Sequence, residues 1–263
     1  MITIWKKLFS NSPSTQPRKV SGKIEVFVRH CISSSISQHK KRFPHFSREL
    51  CHKNLLETID LEKANLTFFL DTAKGSLEDH FLKQEKRFPI VEVKEGTEAG
   101  SFLRLLEHIE QRNLHPDTPI YLLEDDYLHR PNWTEVLLEG LRLADYATLY
   151  DHRDKYFFPM YEKLTSRIFV SKSCHWRTTP STTNTFACTM KTLQKHLPVH
   201  RRFSQNRAIT ADHEKFCLLQ KSGATLISPI PGWSTHAEPE FASPCIDWKS
   251  MIMSLKENPY VLR

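Results

Sequence analysis

The chain has 263 residues, 39% of them hydrophobic and 25% charged, which is enough for a substantial core, long for one domain and short for two large ones. Lys and Arg outnumber Asp and Glu by 37 to 30, a formal charge of +7 with a pI of about 9.1, so an anionic partner is expected: a nucleotide, a phosphorylated substrate or an anionic membrane. Nucleic acid is argued against, because the basic residues come in short runs such as Lys40-Lys41-Arg42 and Arg201-Arg202, with no zinc-finger or RNP-type motif.

In chain order, residues 1–9 combine Ile2, Ile4, Trp5, Leu8 and Phe9 with Lys6 and Lys7. This pattern fits a short amphipathic helix in peripheral contact with an anionic membrane, and equally a packed or frayed terminus. Residues 10–22 have linker composition, and one domain is expected over residues 23–263. A first strand is expected over 24–28, a helix over 46–59 and a second strand over 66–70 ending at Asp71. A turn and helix over 75–88, a strand over 89–93 and a helix over 100–110 follow; the last carries Phe102, Leu103, Leu105, Leu106 and Ile109 on one stripe. A strand over 119–123 delivers Glu124-Asp125-Asp126, a helix begins at 131–135, and a fifth strand covers 144–150. Alternating strands and helices imply right-handed βαβ units, hence an α/β fold with a mixed, mainly parallel sheet flanked by helices. Beyond residue 150 the pattern becomes mixed α+β: a strand over 167–170, a Thr-rich stretch over 178–185, helices over 190–197 and 212–221, and a strand over 224–227. The six cysteines form no CxxC pair, which predicts reduced, mostly buried thiols. No apolar stretch approaches the ~20 residues that span a bilayer and no signal core is evident, so a cytoplasmic protein is expected.

Three adjacent carboxylates repel one another, and grouping them is disfavoured unless a cation or basic partner neutralises them. Glu124-Asp125-Asp126 follows a buried strand, at the carboxyl end where open α/β sheets bind ligands, and so points to a divalent cation. A second, compatible reading is an acidic helix N-terminus ahead of residue 131. Asp71 can cap a helix or accept hydrogen bonds from a nucleobase. Arg29 and His30, after the first strand, fit phosphate or base in the same crevice. The turn Gly96-Thr97-Glu98-Ala99-Gly100-Ser101 is similar to a phosphate cradle but matches neither G-x-G-x-x-G nor the Walker pattern. Asp212 and Glu214 flank His213 at a helix start, each a cap or a general base. His236, in the turn-rich loop after the last strand, is a candidate Mn²⁺ ligand or a plain surface histidine.

Taken in this order, Asp71, Glu124-Asp125-Asp126, Asp212-His213-Glu214 and His236 resemble the GT-A class of nucleotide-sugar glycosyltransferases over residues 23–238. The resemblance implies that Glu-Asp-Asp is a variant of the D-x-D motif, with Asp126 on the cation and Glu124 or Asp125 toward the ribose. It implies that Asp71 reads the base and that His236 completes the protein ligands of a Mn²⁺ or Mg²⁺ ion. It puts the base of an inverting enzyme on Asp212, with Glu214 as substitute; a retaining enzyme needs none. The expected protein is a metal-dependent glycosyltransferase using a nucleotide-diphospho-sugar, a UDP-sugar foremost. Residues 23–150 would bind the donor; residues 151–263 would bind a glycan, lipid or protein acceptor and carry catalysis. Trp176, Arg177, Trp233 and residues 178–185 would line the acceptor side. Two alternatives stand beside it: a nucleotidyltransferase releasing pyrophosphate, and a non-catalytic glycan- or anion-binding module.

Overall fold

Val26 and Val28 pack on one side of the first strand and Phe27 on the other, and the same alternation separates Phe68 and Leu70 from Phe69, and Tyr121 and Leu123 from Ile120 and Leu122. Side chains of period two that are apolar in both phases make a strand buried on both faces. The computed structural model describes residues 17–34 and 37–257; the expected helix at residues 1–9 lies outside them. Within them, β1 (Ile24–Cys31), β2 (Ala64–Asp71), β3 (Ile90–Val93) and β4 (Pro119–Glu124) pair in parallel in the order β3-β2-β1-β4.

The sheet continues through β9 (Phe186–Thr189), β6 (Tyr146–Ala147), β10 (Leu226–Ile230), β8 (His175–Thr178) and β7 (Ile168–Val170), in that spatial order. β9 pairs antiparallel with both β4 and β6, β6 pairs parallel with β10, and β8 pairs antiparallel with β10 and β7. Only β8 and β9 therefore run against the other seven strands, which makes the sheet mixed and mainly parallel. A two-stranded ribbon of β5 (Tyr127–His129) and β11 (Ser234–His236) stands beside it.

Leu55 of α1 (Arg48–Thr58) and the apolar stripe of α3 (Trp133–Leu143) cover one face; α2 (Glu98–Gln111), α4 (Met190–Arg202) and α5 (Asp212–Lys221) cover the other. The side chains of Ser47, Thr97 and Thr189 accept hydrogen bonds from backbone N–H groups in the first turns of α1, α2 and α4, which fixes where these helices begin. α6 (Trp248–Glu257) packs Trp248 and Ile252 with Cys51 and Leu128, against α1 and the ribbon. Gly140 sits in α3 because a Cβ there would lie 2.6 Å from the ring of Trp176, which is fully buried.

Three expectations are corrected. Residues 75–88 form two 3₁₀ turns, Leu77–Asp79 and Phe81–Gln84, because extended backbone at His80 separates them and the Ser76–Asp79 capping box closes the first. The fifth strand is only Tyr146–Ala147, and β9 lies between it and β4. Of the six free cysteines only Cys51 and Cys188 are buried. Among the described residues no helix is long and apolar enough to cross a membrane.

Candidate functional site

The register of the parallel strands sets Arg29 beside Glu124 and Cys31 beside Asp71, so the ends of β1, β2 and β4 open on one place. There a cavity of about 630 Å³ is lined by Arg29, Asp71, Glu124, Asp125, Asp126, Asp212 and His236. Seven of the eight expected site residues thus meet. Glu214 does not line the cavity and is exposed, because on α5 it lies two positions from Asp212 and so on another face of the helix.

Glu124 ends β4, and Asp125-Asp126 form the turn into β5. Helix α3 starts only at Trp133, beyond β5, so the helix-start reading of the triplet fails; dipole stabilisation does not extend past the first turn. Pairing of His236 with Tyr127 across the ribbon instead brings His236 Nε2 to 2.8 Å from Asp126 Oδ2. Glu238 Oε1 lies 3.0 Å from His236 Nδ1, and Lys40 Nζ 2.6 Å from the same oxygen. Burial opposes a charged imidazole, but the charge and hydrogen bond of Asp126, with the hydrogen bond of Glu238, outweigh it and raise His236 to about 9. Burial likewise works against the Asp126 carboxylate, and His236 and Arg42 overcome it, holding its pKa far below the ordinary value.

A carboxylate and an imidazole are suitable donors for a divalent cation, but Asp126 and His236 are here hydrogen-bonded to each other at 2.8 Å with the proton on His236, so a cation held by both would have to displace that proton. A metal-binding imidazole is characteristically oriented by a carboxylate on its other nitrogen, the position Glu238 holds. Arg42 Nη2 donates to Asp126 Oδ2 at 2.8 Å, so an incoming cation replaces a guanidinium. Among the described residues no three His, Cys, Asp or Glu side chains are grouped so as to hold a metal ion.

A second network lies on the cavity's other side. Arg29, almost fully buried, reaches Glu98 at 2.9 Å and Glu124 at 3.2 Å. Glu98 also accepts from Asn184 Nδ2 at 2.7 Å and from the Thr210 N–H at 2.8 Å. Lys215 donates to Asp212 Oδ1 at 2.8 Å and to Asn184 Oδ1. Burial raises Asp212 above the ordinary range against the opposing charge of Lys215. Burial, helped by the charges of Glu98, Asp126 and Asp212 and resisted by Arg29, raises Glu124 to about 7. Of this network the sequence pointed only to Arg29, Glu124 and Asp212. Glu98 and Asn184 fall in the segments 96–101 and 178–185 without a charge-network role legible there, and for Lys215 the one signal is its i,i+3 spacing from Asp212 on a helix.

Asp71 caps no helix: its carboxylate accepts from the backbone N–H groups of Ala73 (3.0 Å), Glu95 (3.2 Å) and Gly96 (2.7 Å), tying two loops at the cavity edge. In the Gly96–Ser101 turn the N–H groups of Gly96, Ala99 and Gly100 are taken by Asp71, the Ala208 carbonyl and the Thr97 hydroxyl, and Gly96, Thr97, Glu98 and Ser101 line the cavity. Trp176, Arg177 and Trp233 do not line the cavity; Trp176 packs in the core, Arg177 pairs with Asp151 at 2.6 Å, and Trp233 lies under Arg130. Thr183 alone of residues 178–185 reaches the cavity.

The charge of the lining runs against that of the chain. Eight carboxylates (Asp71, Glu98, Glu124, Asp125, Asp126, Asp154, Asp212 and Glu238) face four cations (Arg29, Lys40, Arg48 and Lys74), a formal −4 with histidines neutral, an excess reduced by the proton on His236 and by Arg42 against Asp126. Since the whole chain carries +7, the rest of it carries +11.

No protein-family model and no curated protein matches the sequence. The fold has solved counterparts. A structure of GalNAc-T7 with UDP, GalNAc and Mn²⁺ superposes on 88% of this chain with a TM-score of 0.52 and 8% identity. This chain covers 47% of the length of that one. A CMP:2-keto-3-deoxy-manno-octonic acid synthetase complexed with CTP covers 90% of this chain and is itself covered over 99%, at a TM-score of 0.49 and 14% identity. A nucleotidyl transferase from Methanothermobacter thermautotroptrophicus gives 0.43 and 11%, covering 80% of this chain and 87% of its own. The chain therefore has a GT-A-like α/β fold, with its cavity at the carboxyl ends of the parallel strands.

Proposed function

We propose that the protein is a metal-dependent glycosyltransferase moving a sugar from a nucleotide-diphospho-sugar, a UDP-sugar foremost, to an acceptor hydroxyl. One observation carries this reading: the expected donor, cation and base residues line one cavity whose carboxylates outnumber its cations two to one. An anionic diphosphate is repelled by such a lining unless a cation accompanies it. UDP and Mn²⁺ in the counterpart GalNAc-T7 structure are in keeping with this.

Asp126 and His236 would hold Mn²⁺ or Mg²⁺, with Glu238 orienting the imidazole. The bound cation supplies Lewis-acid stabilisation of the charge developing on the leaving phosphate. Glu124 and Asp125 would meet the nucleotide. Asp71 serves the base side by fixing the loop at Glu95 and Gly96. Asp212 is the acceptor-side base: Lys215 holds Oδ1, and its raised pKa brings it toward the operating pH, where a general base works best. In this reading residues 23–150 bind the donor, and later residues supply the acceptor site and the base.

The test is a thermal-shift titration with UDP, with and without Mn²⁺. The expected result is a shift that needs both, absent in Asp126→Ala, because a ligand bound only by the folded state raises stability by mass action. An equal shift in Asp126→Ala would sink the assignment. Release of pyrophosphate on turnover, in place of nucleoside diphosphate, would favour a nucleotidyltransferase; glycan binding without turnover would favour a non-catalytic module.

A further inference from the structure

The loop after Lys155 displays an unusual run. Residues 156–160 are all exposed: Tyr156 is 54% accessible, Phe157 47%, Phe158 37% and Met160 63%. The charged groups of the same loop turn inward. Tyr156 Oη donates to the buried Asp151 at 2.6 Å. Asp154 and Lys155 pair at 2.8 Å with both side chains nearly buried, and the Phe158 N–H is held by the Asp154 carbonyl. The apolar side chains are thus presented by a loop tied down from beneath, and a contiguous exposed apolar patch marks an interaction surface.

We infer that this loop docks the protein on the interface of an anionic phospholipid bilayer. Three observations select that occupant. Exposed Arg153, Lys163 and Arg167 flank the run; of the two acids in residues 153–167, Glu162 is exposed and Asp154 is buried against Lys155. Aromatic side chains bordered by cations suit a headgroup boundary, where apolar burial and attraction to anionic lipid add. The residues outside the cavity lining sum to a formal +11, in keeping with an anionic surface. The display also suits a sugar ring poorly: Phe157 and Phe158 meet edge to face at 86°, Phe157 lies nearly parallel to Phe241, and Met160 offers no flat face. Phe158 and Phe241 line the cavity as well, so a docked bilayer would lie at its mouth. Resting on the transferase reading, this sets the acceptor site at the membrane surface.

The experiment is co-sedimentation of the full chain, without nucleotide, with vesicles of phosphatidylcholine alone or mixed with phosphatidylglycerol. The intact protein is expected to sediment with the mixed vesicles and less with the neutral ones. Phe157→Ser combined with Met160→Ser should weaken partitioning at least about tenfold, the order expected when two apolar side chains are lost from the interface. The UDP and Mn²⁺ thermal shift should be unchanged, which separates this proposal from the reading of the cavity. Unaltered vesicle binding by the double variant would overturn it and assign binding to another surface, residues 1–9 included. So would failure of the intact chain to sediment, a soluble oligosaccharide that stabilises the intact chain and not the variant, or a dimer that the variant dissociates.

Discussion

In the β3-β2-β1-β4 half of the sheet, strands pair in regular parallel register and Arg29, Asp71 and Glu124 reach the cavity at or next to strand ends. In the β9-β6-β10-β8-β7 half, strands have two to five residues and change direction, and the partners arrive otherwise: Asp212 from a helix start, His236 from a three-residue ribbon strand. The first half specifies position through the sheet ladder itself. The second half holds its residues by side-chain ties, Lys215 on Asp212 and Glu238 on His236. Residues of the second kind should be more sensitive to loss of a neighbour than those of the first.

The comparison breaks first at Asp212. Asp212→Asn is expected to lower turnover by roughly 10²–10⁴-fold, the range for a removed general base, with UDP and Mn²⁺ binding kept; an unaffected rate would leave the second half without a catalytic residue. Glu238→Gln is next. It leaves His236 in the ribbon but replaces the carboxylate that orients it, and cation affinity should fall roughly 10–100-fold, as for other outer-shell partners of metal-bound histidine. Calorimetric titration with Mn²⁺ measures this. Gly140→Ala tests the packing beneath the second half: a methyl 2.6 Å from the Trp176 ring should cost about 1–3 kcal/mol, less up to ~1 kcal/mol of helix propensity. A lower denaturation midpoint is the readout.

The last effect lies in the regular half and accumulates with falling pH. Burial, with the charge of His30, lowers His52 to about 3 and His80 to about 4. Both are neutral in the fold near pH 6, whereas the unfolded chain protonates them near pH ~6.5. The unfolded state thus binds more protons between about pH 6.5 and 4, and stability falls as pH drops through that window, by up to ~1.4 kcal/mol per unit for each histidine. His80→Phe should flatten the slope in pH-dependent denaturation, and an unchanged slope would remove His80 from the account.

The same contrast explains what could be read in advance. Alternation of Val26, Phe27 and Val28 and of Ile120, Tyr121 and Leu122 is a local pattern, and it places the strand ends and the triplet directly. β9 consists of Phe186-Ala187-Cys188-Thr189 and β5 of Tyr127-Leu128-His129, too short for periodicity to register. Glu98 meets Arg29 and Asn184 only through packing of α2 near the start of α5, so no spacing announces it. The position of Asp71 at a strand end is legible, but three backbone N–H groups from two loops, rather than a helix, set its task. Glu214 is close to Asp212 in sequence, and the helix turns that proximity into separation.

The acidic lining has a further consequence for the end of a catalytic cycle. Under the proposed reading, a cavity with eight carboxylates against four cations would hold a nucleoside diphosphate only while a metal offset its charge. With the cation gone and Arg42 on Asp126, the remaining carboxylates would repel the product. Under the proposed reading, one electrostatic imbalance both makes donor entry conditional on the metal and drives product egress, so discharge of the spent nucleotide needs no separate gate.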